Sequence, residues 1–234
     1  MAEFHQEDFH SLRVHIKKIK AIFSLTDACV NSFKQDKYFK TFKTVFQQAG
    51  KVRELQLQVS LMRKYKPDPV LTEYYHKLES DIQQEQHDFF SLINRKWKQK
   101  LEQNEKKILP LLEKVNARVV REFLFEKREQ IENLFQIEKP KEGEIHELRK
   151  RIKELYYLEK IFQPKNKRLA IADDFQELLG LWHDYEVIRN DLLKDAQNHK
   201  LKPEEVKAIM AVQKKIANQA DRLLSKIDFS KAMA

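Results

Sequence analysis

The sequence is poor in residues that interrupt regular structure: 3 of 234 are glycine and 6 are proline. Few turn formers beside abundant Leu, Lys, Glu and Gln point to long helices. Three glycines also leave no room for a glycine-rich, phosphate-cradling loop. The single cysteine, Cys29, excludes an internal disulfide and a cysteine-rich metal site, and it fits a reducing compartment. No apolar run approaches the roughly 20 residues that span a bilayer. Residues 1–10 show no basic stretch followed by an apolar one. The expectation is a cytoplasmic protein without a membrane partner.

What is present is charge. Lys and Arg number 45 against 36 Asp and Glu, a formal net charge of +9, while 41% of the residues are hydrophobic. The apolar share suffices for a sizeable core. The positive balance favours an anionic partner such as nucleic acid, an acidic protein or a phosphate polymer.

Nearly every long segment carries apolar residues at helical spacing, and no run alternates in the manner of a strand. Helices are predicted from about Glu7 to Phe33, Tyr38 to Lys64, Pro69 to Gln103 and Leu109 to Phe135. Three more are predicted from about Glu144 to just before Pro164, Leu169 to Gln197 and Pro203 to Leu224. Pro67 and Pro69 end the second, a turn around Pro140 and Gly143 ends the fourth, and Pro203 sits in the first turn of the last.

The pattern repeats. Phe9 to Leu25 reads FHSLRVHIKKIKAIFSL, and Ile145 to Ile161 reads IHELRKRIKELYYLEKI. Without gaps, His10/His146, Leu12/Leu148, Arg13/Arg149, Ile16/Ile152 and Lys17/Lys153 are identical pairs. The following helix repeats more faintly around Gly50 and Gly180, which pairs Arg53 with His183, Glu54 with Asp184 and Gln56 with Glu186. A single unit over 1–234 is expected, one half covering about 1–139 and the other about 140–234.

His10, Arg13, Lys17 and Lys20 are spaced 3, 4 and 3 residues apart. At about 100° and 1.5 Å per residue they fall within an arc of roughly 80° and form a cationic row about 15 Å long. Leu12, Ile16, Ile19 and Phe23 occupy a different, core-facing stripe. His146, Arg149 and Lys153 repeat the row, backed by Leu148, Ile152 and Leu155. Such rows suit a phosphate chain. Arg presents a planar fork to two phosphate oxygens, Lys a compact charge, and His a donor whose protonation a nearby polyanion favours. Two facing rows would focus positive potential into a groove or channel.

These residues resemble the conserved histidine α-helical domain (CHAD) family. Its hallmark is His-x-x-Arg followed by basic residues at helical spacing, once per half: here HSLRVHIKKIK from His10 and HELRKRIKELYY from His146. AGKVRE (Ala49 to Glu54) and LGLWHD (Leu179 to Asp184) look like the family's glycine-centred segment in the next helix. The resemblance covers essentially the whole chain. It implies an all-α fold of two four-helix halves related by a pseudo-two-fold axis and enclosing a basic central channel. It further implies non-catalytic binding of inorganic polyphosphate, without metal or cofactor. The implied binding residues are His10, Arg13, Lys17, Lys20, His146, Arg149 and Lys153, with Arg53 and His183 from the second helix of each half and Lys43 at a frequently basic position. Tyr156 stands where Lys20 has its counterpart, and Asp173 where Lys43 has its own, so the second half is less basic. The chain reads as a stand-alone version, cytoplasmic and associated with polyphosphate granules.

Two other readings compete. Backbone-directed nucleic-acid binding would use the same charge, with Tyr156 and Tyr157 as candidates for base stacking. The dipeptide His183-Asp184, with His146 and Asp221, imitates a metal-dependent phosphohydrolase, which requires several ligands converging on one metal.

Overall fold

The structure is a computed structural model, and it describes residues 6–65, 69–135, 141–165, 168–197 and 201–227. Eight α-helices occur among them: α1 (Gln6–Cys29), α2 (Gln35–Lys64), α3 (Thr72–Leu92), α4 (Arg95–Leu112), α5 (Ala117–Phe135), α6 (Glu142–Phe162), α7 (Arg168–Ala196) and α8 (Pro203–Ser225). A 3-10 turn, Pro69–Leu71, leads into α3, and no strand occurs among the described residues.

The helix ends have local causes. The Asp27 carboxylate, in the last turn of α1, accepts a hydrogen bond from the Gln35 backbone at 2.9 Å and so caps α2. Glu144 accepts from the Lys141 backbone at 2.6 Å, and Glu205 accepts from the Lys202 backbone at 2.8 Å. Each is a third-position acid reaching back over the helix start, where the macrodipole favours negative charge. Pro203 opens α8 as expected.

Three sequence expectations need correction. The helix predicted from Pro69 to Gln103 is broken at Ile93 and Asn94, because the Asn94 side chain accepts from Trp97 N at 3.0 Å and starts a new helix. The helix predicted from Leu109 instead begins at Ala117: α4 runs through Pro110, whose missing N–H falls in its last turn. Gly143 lies in the first turn of α6 rather than in a turn before it. Pro67, Pro140 and the junction between the halves lie outside the described residues.

Packing follows the repeat. α1 lies on α2 and α2 on α3, just as α6 lies on α7 and α7 on α8, and the two sets meet through α1 with α6 and α2 with α7. Leu25, Met62 and Leu78 from one set share a buried apolar cluster with Leu148, Leu158, Leu179 and Ile188 from the other. A polar tie reinforces this contact: Asp195 of α7 accepts from Gln58 Nε2 at 2.8 Å and from the Tyr74 hydroxyl. A smaller cluster of Phe9, Ile16, Val45, Ala49 and Val52 seats α1 on α2. α4 is held to α2 by Trp97 Nε1, which donates to the Thr41 carbonyl at 2.9 Å. No helix among the described residues is long and apolar enough to cross a membrane.

Candidate functional site

α1 and α2 run antiparallel, and the cations of α1 meet a defined row on α2. Phe39, Lys43, Phe46, Gly50 and Arg53 recur at 4, 3, 4 and 3 residues and share one face. Lys20 Nζ lies 5.5 Å from the Phe39 ring centre and Arg13 Cζ 4.4 Å from that of Phe46. Arg13 Nη1 also donates to the Phe46 carbonyl at 2.9 Å. Gly50 makes this reach possible. A Cβ there would collide with Arg13 Nη1 and stand 3.2 Å from its Cζ. Glycine in a helix interior costs about 1 kcal/mol relative to alanine, so the notch is held against helix propensity.

The second pair uses the same plan with different occupants. The notch at Gly180 faces Lys153, whose Nζ would lie 3.3 Å from an added Cβ. His146 packs edge-on against His183 with ring centres 4.7 Å apart, and 5.1 Å from the Trp182 ring. His146 Nε2 is 3.6 Å from Glu142.

The two rows converge. Burial pulls the Lys17 ammonium down to about 7, helped by Lys153, Arg149 and Arg13. Burial pulls Lys153 down to about 8, with Arg149 adding to the effect. Arg13 and Arg149 are both lowered, first by burial, and each feels charges of the other half. His183 falls to about 3 through burial and then the charges of Arg149, His146, Lys17 and Lys153, so it is neutral at ordinary pH. His10 is lowered by burial and by Arg53. Like charges are thus held together in a partly desolvated space, an arrangement that costs stability unless an anion completes it. Buried Arg53 Nη1, Arg149 Nε and His183 Nδ1 find no hydrogen-bond partner among the described residues.

Of the residues expected at the site, Arg13, Lys17, Arg53, Arg149, Lys153, His146 and His183 are half-buried, and His10 opens at the rim. Lys20 and Lys43 are exposed, at the end away from His10. At the corresponding end of the second pair, Tyr156 is buried, bonded to Asp173 and to Lys160 Nζ at 2.9 Å, so a tyrosine tied to an acid and a base stands in place of the cation. Tyr156 and Tyr157 are each 6% exposed, which corrects their reading as stacking platforms. Among the described residues no three His, Cys, Asp or Glu side chains are grouped to hold a metal ion.

Sequence reasoning missed the aromatic seats Phe39 and Phe46. It met Glu54 and Asp184 only as an aligned pair and did not see them as charges within the site. The signal for the seats was present in the spacing of Phe39, Phe46, Gly50 and Arg53 on α2, one face with an arginine at its end.

Fold and site together define an all-helical protein in which α1 and α2, and α6 and α7, bring half-buried cations near one another. The sequence model of the CHAD domain matches residues 1–194, and the chain belongs to the CHAD domain family. The crystal structure of the CHAD domain from the plant Ricinus communis superimposes with a TM-score of 0.79 at 15% identity, covering 97% of this chain and 80% of that one. At that identity the likeness concerns the fold. No curated protein matches the sequence.

Proposed function

We propose that the protein binds inorganic polyphosphate, or a similar linear polyanion, without catalysis, in a basic channel between the α1–α2 and α6–α7 pairs. In this reading the pairs are related by a pseudo-two-fold axis, and the chain threads between their cationic rows in the cytoplasm, at polyphosphate granules. The observation that carries the proposal is the convergence of Arg13 and Lys17 with Arg149 and Lys153 beside two buried arginine N–H donors, Arg53 Nη1 and Arg149 Nε, that have no hydrogen-bond partner among the described residues. A row of phosphates would supply both the missing acceptors and the missing negative charge. A phosphate polymer carries a charge on each unit, which matches a row of cations better than a single compact anion does.

Replacing Arg13 and Arg149 together by Ala should weaken binding of long-chain polyphosphate while leaving the circular dichroism of the helices unchanged. Excess double-stranded DNA should fail to displace the polymer. Equal competition per phosphate would refute the channel and favour the second reading, nucleic-acid backbone binding. That reading draws on the outer face of α4, where Arg95, Lys96, Lys98, Lys100, Lys106 and Lys107 are exposed.

A further inference from the structure

One acid stands among the cations with reach into both halves. Asp184 follows His183 on α7, the helix that packs against both α6 and α2. Gly180, whose notch faces Lys153 Nζ, lies one turn before it on the same side of α7, and the Asp184 charge is felt by His10, Arg13 and Lys17 of α1 as well as by Arg149 and Lys153 of α6. Glu54 holds the aligned position on α2 and acts on Arg13. Asp184 is half-buried and forms no direct ion pair among the described residues. It is therefore not a salt-bridge partner that fixes one cation in place. It is a counter-charge among the cations of both rows.

We propose that Asp184, assisted by Glu54, determines the shortest anion the site retains, by opposing any anion at the centre of the cationic rows. This rests on the polyanion reading above. The repulsion is one fixed term, felt in full by any anion that enters. Attraction grows with each phosphate that reaches another cation along rows extending from His10 and Arg53 to Lys153. A short anion engages few of these and is opposed by the whole acid. A long chain engages all of them and is opposed by the same acid once. The threshold length is where the growing term overtakes the fixed one. The acid also helps to keep Lys17 and Lys153 protonated. Removing it releases part of that charge, which offsets the gain in anion affinity without reversing it.

The test is a series of polyphosphates of defined length, from orthophosphate through tripolyphosphate to long chains, titrated calorimetrically at fixed pH and salt. A plot of log affinity against length should be linear for the natural protein until the rows are filled. In Asp184→Asn the line should shift upward with the same slope, by about tenfold for one unit charge at short range in a partly hydrated site. The shortest chain bound at a given concentration becomes shorter. Glu54→Gln should shift the line the same way and less, and it serves where Asp184→Asn fails the circular dichroism check. Superimposed lines would overturn the proposal, because Asp184 would then not face the anion. A fall in affinity or a changed slope would also overturn it, because Asp184 would then orient cations or hold a metal ion carried by the polymer. If the natural, folded protein binds no chain of any length, the polyanion reading itself fails. If it binds and the lines coincide, only the role of Asp184 fails.

Discussion

Binding of a polyanion should draw protons from solution, and the amount follows from two lysines. Lys17 is held down at about 7 and Lys153 at about 8 in the empty site. At pH 8 about nine-tenths of Lys17 and about half of Lys153 are therefore neutral, whereas ordinary lysines, near 10.4, are almost fully charged. A phosphate chain between them favours the charged forms, so binding at pH 8 should take up about 1.4 protons per site. Calorimetry in Tris and in Hepes at the same pH reads this number directly, as the difference in apparent heat divided by the difference in buffer ionisation heat. Lys17→Met should remove most of it and leave about half a proton. Affinity should fall as pH rises from 7 to 9, through the window in which both groups lose their protons. Stability of the empty protein should move the opposite way. Between about 7 and 10.4 the unfolded chain holds protons that the folded lysines have released, so unfolding free energy rises with pH. A binding heat independent of the buffer at pH 8 would refute the reasoning.

Other outcomes follow from single contacts. Gly50→Ala should improve helix propensity yet displace Arg13 from the Phe46 carbonyl, weakening polyphosphate binding by roughly tenfold, the worth of a charged hydrogen bond; Gly180→Ala, with a milder approach to Lys153, should change binding little, and titration of both variants checks the contrast. Asp195→Ala strips Gln58 and Tyr74 of their shared acceptor and should lower stability by about 1–3 kcal/mol in urea unfolding while changing polyphosphate affinity little. Binding should weaken steeply with salt, and Arg13→Ala should flatten the slope of log affinity against log salt by about one unit.

The helical architecture was legible because its signals are local. Periodicity placed α1, α2, α6, α7 and α8 to within a few residues. The two breaks it missed depend on side chains acting out of register with the apolar pattern. Asn94 reads as one more polar residue until its carbonyl is seen capping Trp97 N, and Asn116 likewise until its Oδ1 is seen accepting from Arg118 N at 2.7 Å at the start of α5. At the site, the repeated His-x-x-Arg-x-x-x-Lys rows pointed to the residues that converge, since identical offsets on two helices place like groups on like faces. What spacing could not reveal was distance between elements. The neutral state of His183, the seating of Arg13 on Phe46 and the central place of Asp184 all arise from contacts between different helices. Tyr156 shows the same limit: the repeat aligns it with Lys20, but its burial beside Asp173 depends on α7.

The central claim is tested most directly by a crystal structure of the protein grown with long-chain polyphosphate. The account predicts phosphates running between α1 and α6, with oxygens within hydrogen-bond reach of Arg53 Nη1 and Arg149 Nε. Phosphates confined to the outer lysines of α4, with the space between Arg13 and Arg149 free of them, would contradict it.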